Sequence, residues 1–371
     1  CPDTARALEA ASAQLVRNVQ CVAFPTETVY GLGALALDAS AAAKIFSTKG
    51  RPADNPLIVH VSSLPMLRTL LPRGYTLPRP YAALVKRFWP GALTLLFPCD
   101  AQIVPPIVTA GQKTVAVRMP SHPVARALIA LADAPLAAPS ANSSGKPSPT
   151  RAEHVVRDLE GRVAIVLDGG ACGVGVESTV VDGLHPDGAI RVLRPGGVTV
   201  EDLERVLQEE LGGEEVPRVL VHRRDYADEA IESAPTTPGM KYRHYSPAVP
   251  VQLIYTSGDG REDREWEDAQ ALWKSLRLPD RAVKVGLLAQ DDSALGLCHP
   301  PGELHLERFS LGPSSEPAQA AQRLFDGLLT LERNGVDIIL IEAVLEEREG
   351  LAVMNRVKKA AGESRFVRLS V

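Results

Sequence analysis

The side chains best equipped for chemistry in this sequence are cations and small hydroxyl or amide groups set where apolar segments end. Lys49-Gly-Arg51 places two cations two residues apart, with Pro52 following. On extended backbone both would point the same way, as a fork for a polyphosphate or a carboxylate. The plainer alternative is a solvated basic helix end that answers the helix dipole. Ala138-Pro-Ser-Ala-Asn-Ser-Ser-Gly145 follows a short apolar strand, and its hydroxyls and N–H groups suit the cradling of phosphates. An ordinary Ser/Asn turn is the alternative there. Thr26 and Thr28, in the segment Phe24–Gly33, would share one face of an extended chain, unless that segment is a strand end plus a turn. Arg118 stands near the C-terminal end of a β-rich stretch, where open α/β sheets gather ligands, although a surface arginine is equally common. His60 lies inside an apolar strand and reads first as a satisfied, half-buried residue. Ser178 and Arg194 each stand at a strand end and could line one crevice.

The sequence has no Ser/His/Asp triad spacing, no metal-ligand cluster and no close carboxylate pair to accompany these groups. It favours electrostatic positioning of phosphates over nucleophilic or two-carboxylate catalysis. The standard nucleotide fingerprints are missing as well. Gly145-Lys146 is followed by Pro147, and Gly170, Gly173 and Gly175 precede a strand rather than open a helix, so a nucleotide would be held by another device. A net charge of −5, from 40 Lys+Arg and 45 Asp+Glu, excludes a global basic field. Aromatic residues at 5% argue against a stacking platform for nucleic acid. The five cysteines are scattered and never in CxxC spacing, which excludes a disulfide framework and the common zinc patterns. No apolar run reaches the roughly 20 residues of a membrane helix.

A length of 371 residues calls for two domains, or three, to position these groups. In the first part, strands are expected at 21–24, 56–61, 93–97, 115–119, 136–138, 163–167, 178–181 and 190–193. Helices are expected at 39–47, 81–89, 123–132, 152–159 and 200–211, the last capped by Thr199 and stopped by Gly212-Gly213. Consecutive strands mixed with crossover helices predict an α/β sheet that is only partly parallel. Periodicity is lost between 212 and 250, where Pro238-Gly-Met-Lys-Tyr-Arg-His-Tyr-Ser-Pro247 packs cations and aromatic rings where a tether needs neither. It reads as a functional loop. Beyond it, residues 251–371 alternate strand and helix (251–255, 263–276, 283–288, 305–309, 317–334, 338–341, 351–361) as a smaller doubly wound domain does.

In order, the segments Pro-Thr-Glu-Thr-Val-Tyr-Gly-Leu-Gly (25–33), Lys-Gly-Arg-Pro-x-x-Asn-Pro-Leu (49–57), Pro-Ser-Ala-Asn (139–142), Glu-Ser-Thr (177–179) and Arg-Pro-Gly (194–196) resemble the YrdC-like domain. Lys49, Arg51, Ser140 and Asn142 match that family's signature. The 238–247 segment resembles the hallmark of its long, two-domain branch, the threonylcarbamoyl-AMP synthases. The resemblance implies a fold: a YrdC-like open, twisted mixed sheet with a concave cavity in residues 1–211, a linker and active-site loop in 212–250, and a Rossmann-like C-terminal domain in 251–371. It implies L-threonylcarbamoyladenylate synthase activity on ATP, L-threonine and bicarbonate, with Mg2+ accompanying ATP and no protein metal site. It implies catalytic Lys49 and Arg51. An ATP site would comprise these two with Asn55, Thr114, Ser140, Asn142, Ser148, Arg194, Tyr242 and His244. A threonine site would comprise Thr28, His60, Arg118, Ala138 and Ser178. The downstream partner would be a tRNA threonylcarbamoyl-transfer complex, with weak RNA contact left open, no membrane, and a cytoplasmic location. Because the sequence starts at Cys1 rather than Met, a trimmed targeting peptide and an organellar pool also stay open. Two rival classes are a carbamoyltransferase carrying a YrdC-like domain and a non-catalytic RNA-binding module. The first would bring acylphosphatase and zinc-finger modules that this sequence lacks; the second fits poorly with the net charge.

Overall fold

The structure, a computed structural model, describes residues 2–213, 216–228, 244–256, 265–276, 282–299 and 304–369. These fall into two compact units: residues up to 228 apart from 145–147, and residues 145–147 with 244–369.

The first unit is built on one open sheet of nine strands: β1 (Val22–Phe24), β2 (Gly31–Leu35), β3 (Ile58–His60), β4 (Leu93–Pro98), β5 (Thr114–Arg118), β6 (Leu136–Ala137), β7 (Thr179–Asp182), β8 (Ile190–Arg194) and β9 (Val219–Val221). Their order across the sheet is β1-β2-β6-β3-β5-β4-β7-β8-β9. The pairs β3–β5, β4–β7 and β8–β9 are parallel, and the others are antiparallel, so the sheet is mixed as the sequence predicts. The middle of the sheet is the most apolar: Leu93, Leu95, Leu96 and Phe97 of β4 are fully buried. One face is covered by helix Pro123–Ala132. Its Ala125, Leu128, Ile129 and Ala132 pack with Leu8, Ala11 and Leu15 of helix Pro2–Val16 and with Val22 and Phe24 of β1. The 3-1-3 spacing of those four residues is the apolar stripe of an amphipathic helix, and each large aliphatic buried there contributes roughly 1.5–3 kcal/mol.

Three departures from the sequence reading concern this sheet. Residues 163–167 form no strand; they make a single bridge, Ala23 to Val166, with the Leu167 N–H donating to the Ala23 carbonyl at 2.9 Å. Residues 31–35, where no strand was expected, form β2, and residues 219–221, taken for linker, form the edge strand β9.

The second unit has six parallel strands: β10 (Val251–Thr256), β11 (Glu267–Asp268), β12 (Lys284–Ala289), β13 (His305–Ser310), β14 (Ile338–Glu342) and β15 (Glu363–Arg368), in the order β11-β15-β10-β14-β12-β13. Helices Pro317–Arg333 and Glu349–Ala360 supply crossovers that parallel strands require. The helix expected at 263–276 covers only Ala269–Ser275, because Asp268 caps it by accepting from the Ala271 N–H at 2.7 Å; residues 263–264 lie outside the described set. Strand β15 falls where no element was expected. Among the described residues no helix is long and apolar enough to cross a membrane.

Candidate active site

Lys49 is the last residue of helix Ala39–Lys49, which Asp38 starts by accepting from the Ser40 and Ala41 N–H groups and Gly50 stops with a left-handed φ of 62°. That stop turns the chain so that both cations point inward. Lys49 and Arg51 are buried, 4% and 7% exposed, which rules out a solvated basic helix end. The Lys49 ammonium donates to the backbone carbonyls of Ser140 and Asn142 and lies 3.5 Å from Asn142 Oδ1. The Ser144 N–H donates back to the Lys49 carbonyl at 2.8 Å, fastening the polar loop to the helix end. Burial, and next the Arg51 charge, push the Lys49 amine well below its ordinary range, while Asp158 and Glu177 pull it back up. Arg51 Nε donates to the Asn55 carbonyl at 3.1 Å and Nη2 to the Pro56 carbonyl at 2.8 Å. Its guanidinium thereby shapes the turn that leads into β3.

Strand register distributes the remaining candidates. In the parallel pair β3–β5, His60 lies beside Arg118, and on the far side of β5 Thr94 of β4 also lies beside Arg118. Asn55 precedes β3, and Thr114 opens β5, so both stand at the opposite end of the pair. Thr114 and Arg118, four residues apart, are separated by about 13 Å along the strand. The Thr114 hydroxyl is buried without a hydrogen-bond partner. Strand β6 runs antiparallel to β3, with the Ala138 N–H donating to the Ile58 carbonyl at 3.0 Å. Ser140 and Asn142 therefore follow Ala138 toward the Asn55 end. The nucleotide candidates Lys49, Arg51, Asn55, Thr114, Ser140 and Asn142 gather at one end, and the threonine candidates His60 and Arg118 at the other.

Arg118 is 4% exposed and carries an internal carboxylate that the sequence reading did not include. Its Nη2 forms an ion pair with Glu27 Oε1, Nη1 donates to Thr28 Oγ1 at 2.8 Å, and Nε donates to the Gly91 carbonyl at 3.1 Å. Glu27 Oε2 also accepts from the Ser121 N–H at 3.0 Å. Desolvation acts on Glu27 most strongly and would raise its pKa, but the Arg118 charge and the hydrogen bonds together outweigh it and hold the carboxyl below its ordinary range. Thr28 Oγ1 is tied to Thr26 Oγ1 at 2.8 Å, so the two hydroxyls do share a face. His60 is buried with Nδ1 3.2 Å from the Ile58 carbonyl; burial, then the Arg118 charge, lower its pKa from 6.5 to about 3. The imidazole is neutral at physiological pH.

Ser178 and Arg194 do line one place. Arg194 Nη2 donates to the Ser178 carbonyl at 2.8 Å, and Ser178 Oγ lies 2.7 Å from Thr94 Oγ1. Thr94 is a site-lining residue that sequence reasoning missed; its signal was a lone hydroxyl inside the apolar run of β4. Arg194, assigned to ATP, thus stands among residues of the threonine end. The Arg-Pro-Gly turn after it needs Gly196, because a Cβ there would lie 2.3 Å from the Glu177 carbonyl oxygen. Ser148 donates its hydroxyl to Glu177 Oε1. His244 lies in the second unit, its ring 4.5 Å from that of Tyr245, and Tyr242 lies outside the described residues. Among the described residues no group of three or more His, Cys, Asp or Glu is placed to hold a metal ion.

Known proteins resemble this chain along nearly its whole length. The family model described as telomere recombination (Sua5, YciO, YrdC) matches residues 14–196, and the model described as threonylcarbamoyl-AMP synthase, C-terminal domain, matches residues 198–362. A threonylcarbamoyl-AMP synthase of Schizosaccharomyces pombe is 46% identical, over 97% of this chain and 89% of its own. One of Bacillus subtilis is 44% identical, over 95% and 92%. The crystal structure of Pyrococcus abyssi Sua5 complexed with L-threonine superposes with a TM-score of 0.78 at 40% identity, covering 98% of this chain and 96% of that one. From end to end of the described fold, the chain belongs to the threonylcarbamoyl-AMP synthase family.

Proposed function

We propose that this chain is an L-threonylcarbamoyladenylate synthase, joining L-threonine, bicarbonate and ATP into threonylcarbamoyl-AMP. The observation that carries the reading is the agreement between near-full-length likeness to synthases of that name and a cluster of buried cations and hydroxyls at the signature positions. In the first step the threonine amine attacks bicarbonate, giving a carbamate and water. In the second, a carbamate oxygen attacks the α-phosphorus of ATP and pyrophosphate leaves.

Both reactants of the second step are anions, so neutralising charge is the main catalytic task. We assign that task to Lys49 and Arg51, with Asn55, Thr114, Ser140, Asn142 and Ser148 holding the nucleotide. The unpartnered Thr114 hydroxyl has a hydrogen bond to offer a ligand. Thr28, His60, Arg118, Ala138 and Ser178 would hold threonine, with the N–H groups that Arg118 has left for the substrate carboxylate. Tyr242 and His244 complete the ATP assignment, and Arg194, which donates to the Ser178 carbonyl, would reach the nucleotide from the threonine end. Magnesium would arrive bound to the ATP phosphates and help neutralise them, since Glu27 and Glu177 are engaged by Arg118 and Ser148. The adenylate would pass to a tRNA threonylcarbamoyl-transfer complex in the cytoplasm. The test is pyrophosphate release with each of ATP, threonine and bicarbonate omitted in turn: full release without threonine or without bicarbonate would overturn the assignment.

A further inference from the structure

The two ends of the site differ in how their cations are balanced. Among the described residues, no carboxylate pairs with the Lys49 ammonium; its hydrogen bonds go to the neutral oxygens of Ser140 and Asn142. Arg118 instead has Glu27 bound directly to its Nη2, and Glu27 is fixed from the other side by the Ser121 N–H at 3.0 Å. The pair is buried, with side chains 5% and 15% exposed, so its charges are little screened by water. Three of the five guanidinium N–H groups are engaged, by Glu27, Thr28 and Gly91, and two are left for a ligand. Three of the bonds that hold Arg118 and Glu27 come from residues 27–28 and 121, so their geometry is set by the β1–β2 connection and by the turn that follows β5.

A buried, uncompensated arginine in a site that also holds a triphosphate would take a phosphate as readily as a carboxylate, since each offers a pair of acceptor oxygens to its bidentate fork. Pairing it with a carboxylate makes the local charge close to zero. A zwitterion then fits, with its carboxylate on the remaining N–H groups and its ammonium near the free lone pairs of Glu27, whereas a phosphate meets the Glu27 charge without anything to offset it. We propose that Glu27 is a specificity-determining residue that makes the Arg118 subsite accept an amino-acid zwitterion and reject phosphate groups. This rests on the threonine site proposed above. Glu27 acts on which anion Arg118 admits and takes no part in bond making.

Threonine binding measured by calorimetry, with inorganic phosphate as competitor, tests it. In the unaltered chain the apparent threonine affinity should stay constant as phosphate is raised. In Glu27→Gln, which keeps the side chain's size and removes its charge, phosphate should weaken threonine binding at least fivefold. The amine-free analogue 3-hydroxybutyrate should bind the unaltered chain at least tenfold more weakly than threonine, a measurement that stands even where Glu27→Gln does not fold. Threonine binding that is equally indifferent to phosphate in both proteins would overturn the role of Glu27 alone, as would equal binding of 3-hydroxybutyrate and threonine. No threonine binding by the unaltered chain would overturn the site and this proposal together.

Discussion

His60 offers the most direct physical test of how the threonine end is built. Its pKa falls from 6.5 to about 3 because the ring is buried and faces Arg118, so the native protein holds it neutral where the unfolded chain would protonate it. Below pH 6.5 the unfolded state binds a proton that the native state refuses, and stability declines as pH falls from there toward 3. At pH 5 the mismatch is about 1.5 pH units, or about 2 kcal/mol at 1.36 kcal/mol per unit. The Glu27 carboxyl is also held low: its stabilising contribution is present above its unfolded value of 4.5 and is lost as pH falls below it, so it adds little between pH 7 and 5. Burial lowers His122 as well, in the same direction as His60, so the effect must be isolated by substitution. Trp89, buried and donating to the Leu93 carbonyl at 2.7 Å, is a fluorescent probe for the first unit once Trp266 and Trp273 are replaced by Phe. Urea unfolding in that background should lose about 2 kcal/mol more between pH 7 and 5 with His60 present than in His60→Gln. Equal losses in the two proteins would refute the buried, neutral imidazole.

Arg51→Ala should lower kcat/KM for pyrophosphate release by a hundredfold or more, a few kcal/mol of lost transition-state contact, and should also lower Tm because the guanidinium braces the Asn55 and Pro56 carbonyls; normal turnover would remove Arg51 from the site. ATP binding should be accompanied by proton uptake at alkaline pH, because phosphates restore the charge that burial takes from Lys49; calorimetry in buffers of different ionisation enthalpy reads it, and no uptake would mean that phosphates do not reach this amine. Serine should be a weak substrate and valine a weaker one, since recognition rests on hydroxyl, amine and carboxylate; valine turnover equal to that of threonine would contradict a polar site.

The large elements were legible in the sequence where the pattern was strong and local. The apolar runs of β4 and β5 and the 3-1-3 stripe of helix Pro123–Ala132 announce themselves by periodicity alone. Strand β2 did not, because Gly31-Leu-Gly33 has turn composition and is a strand only through its pairing with β1 and β6. Strand β9 failed for a related reason: three residues within a proline-bearing stretch gain strand structure only from the edge of β8. A cut after Leu211 would therefore fall inside the first unit, before β9. Removing β9 would leave β8 with unpaired backbone groups and an open edge.

Site residues were legible as types and spacings, but their electrostatic state was not. Lys49 and Arg51 read as readily as a solvated helix end as a buried fork, and only the turn at Gly50 and the return of the chain at residues 140–144 decide between them. The same holds more strongly for Glu27. In the sequence it is one carboxylate between two threonines, 91 residues from Arg118, and nothing in its neighbourhood marks it as the partner of that arginine. Pairing across that separation depends on the order β1-β2-β6-β3-β5, which brings the β1–β2 connection over the end of β5. Buried charges are costly unless compensated, so the fold must settle each of them: Lys49 with loop carbonyls, Arg118 with a carboxylate. Those two solutions leave different residual charges within one sheet. A polyanion is favoured where carbonyls do the compensating, and a zwitterion where a carboxylate does. The proposed division of the site into a nucleotide end and an amino-acid end thus follows from how these cations are buried, which a sequence specifies only through the complete fold.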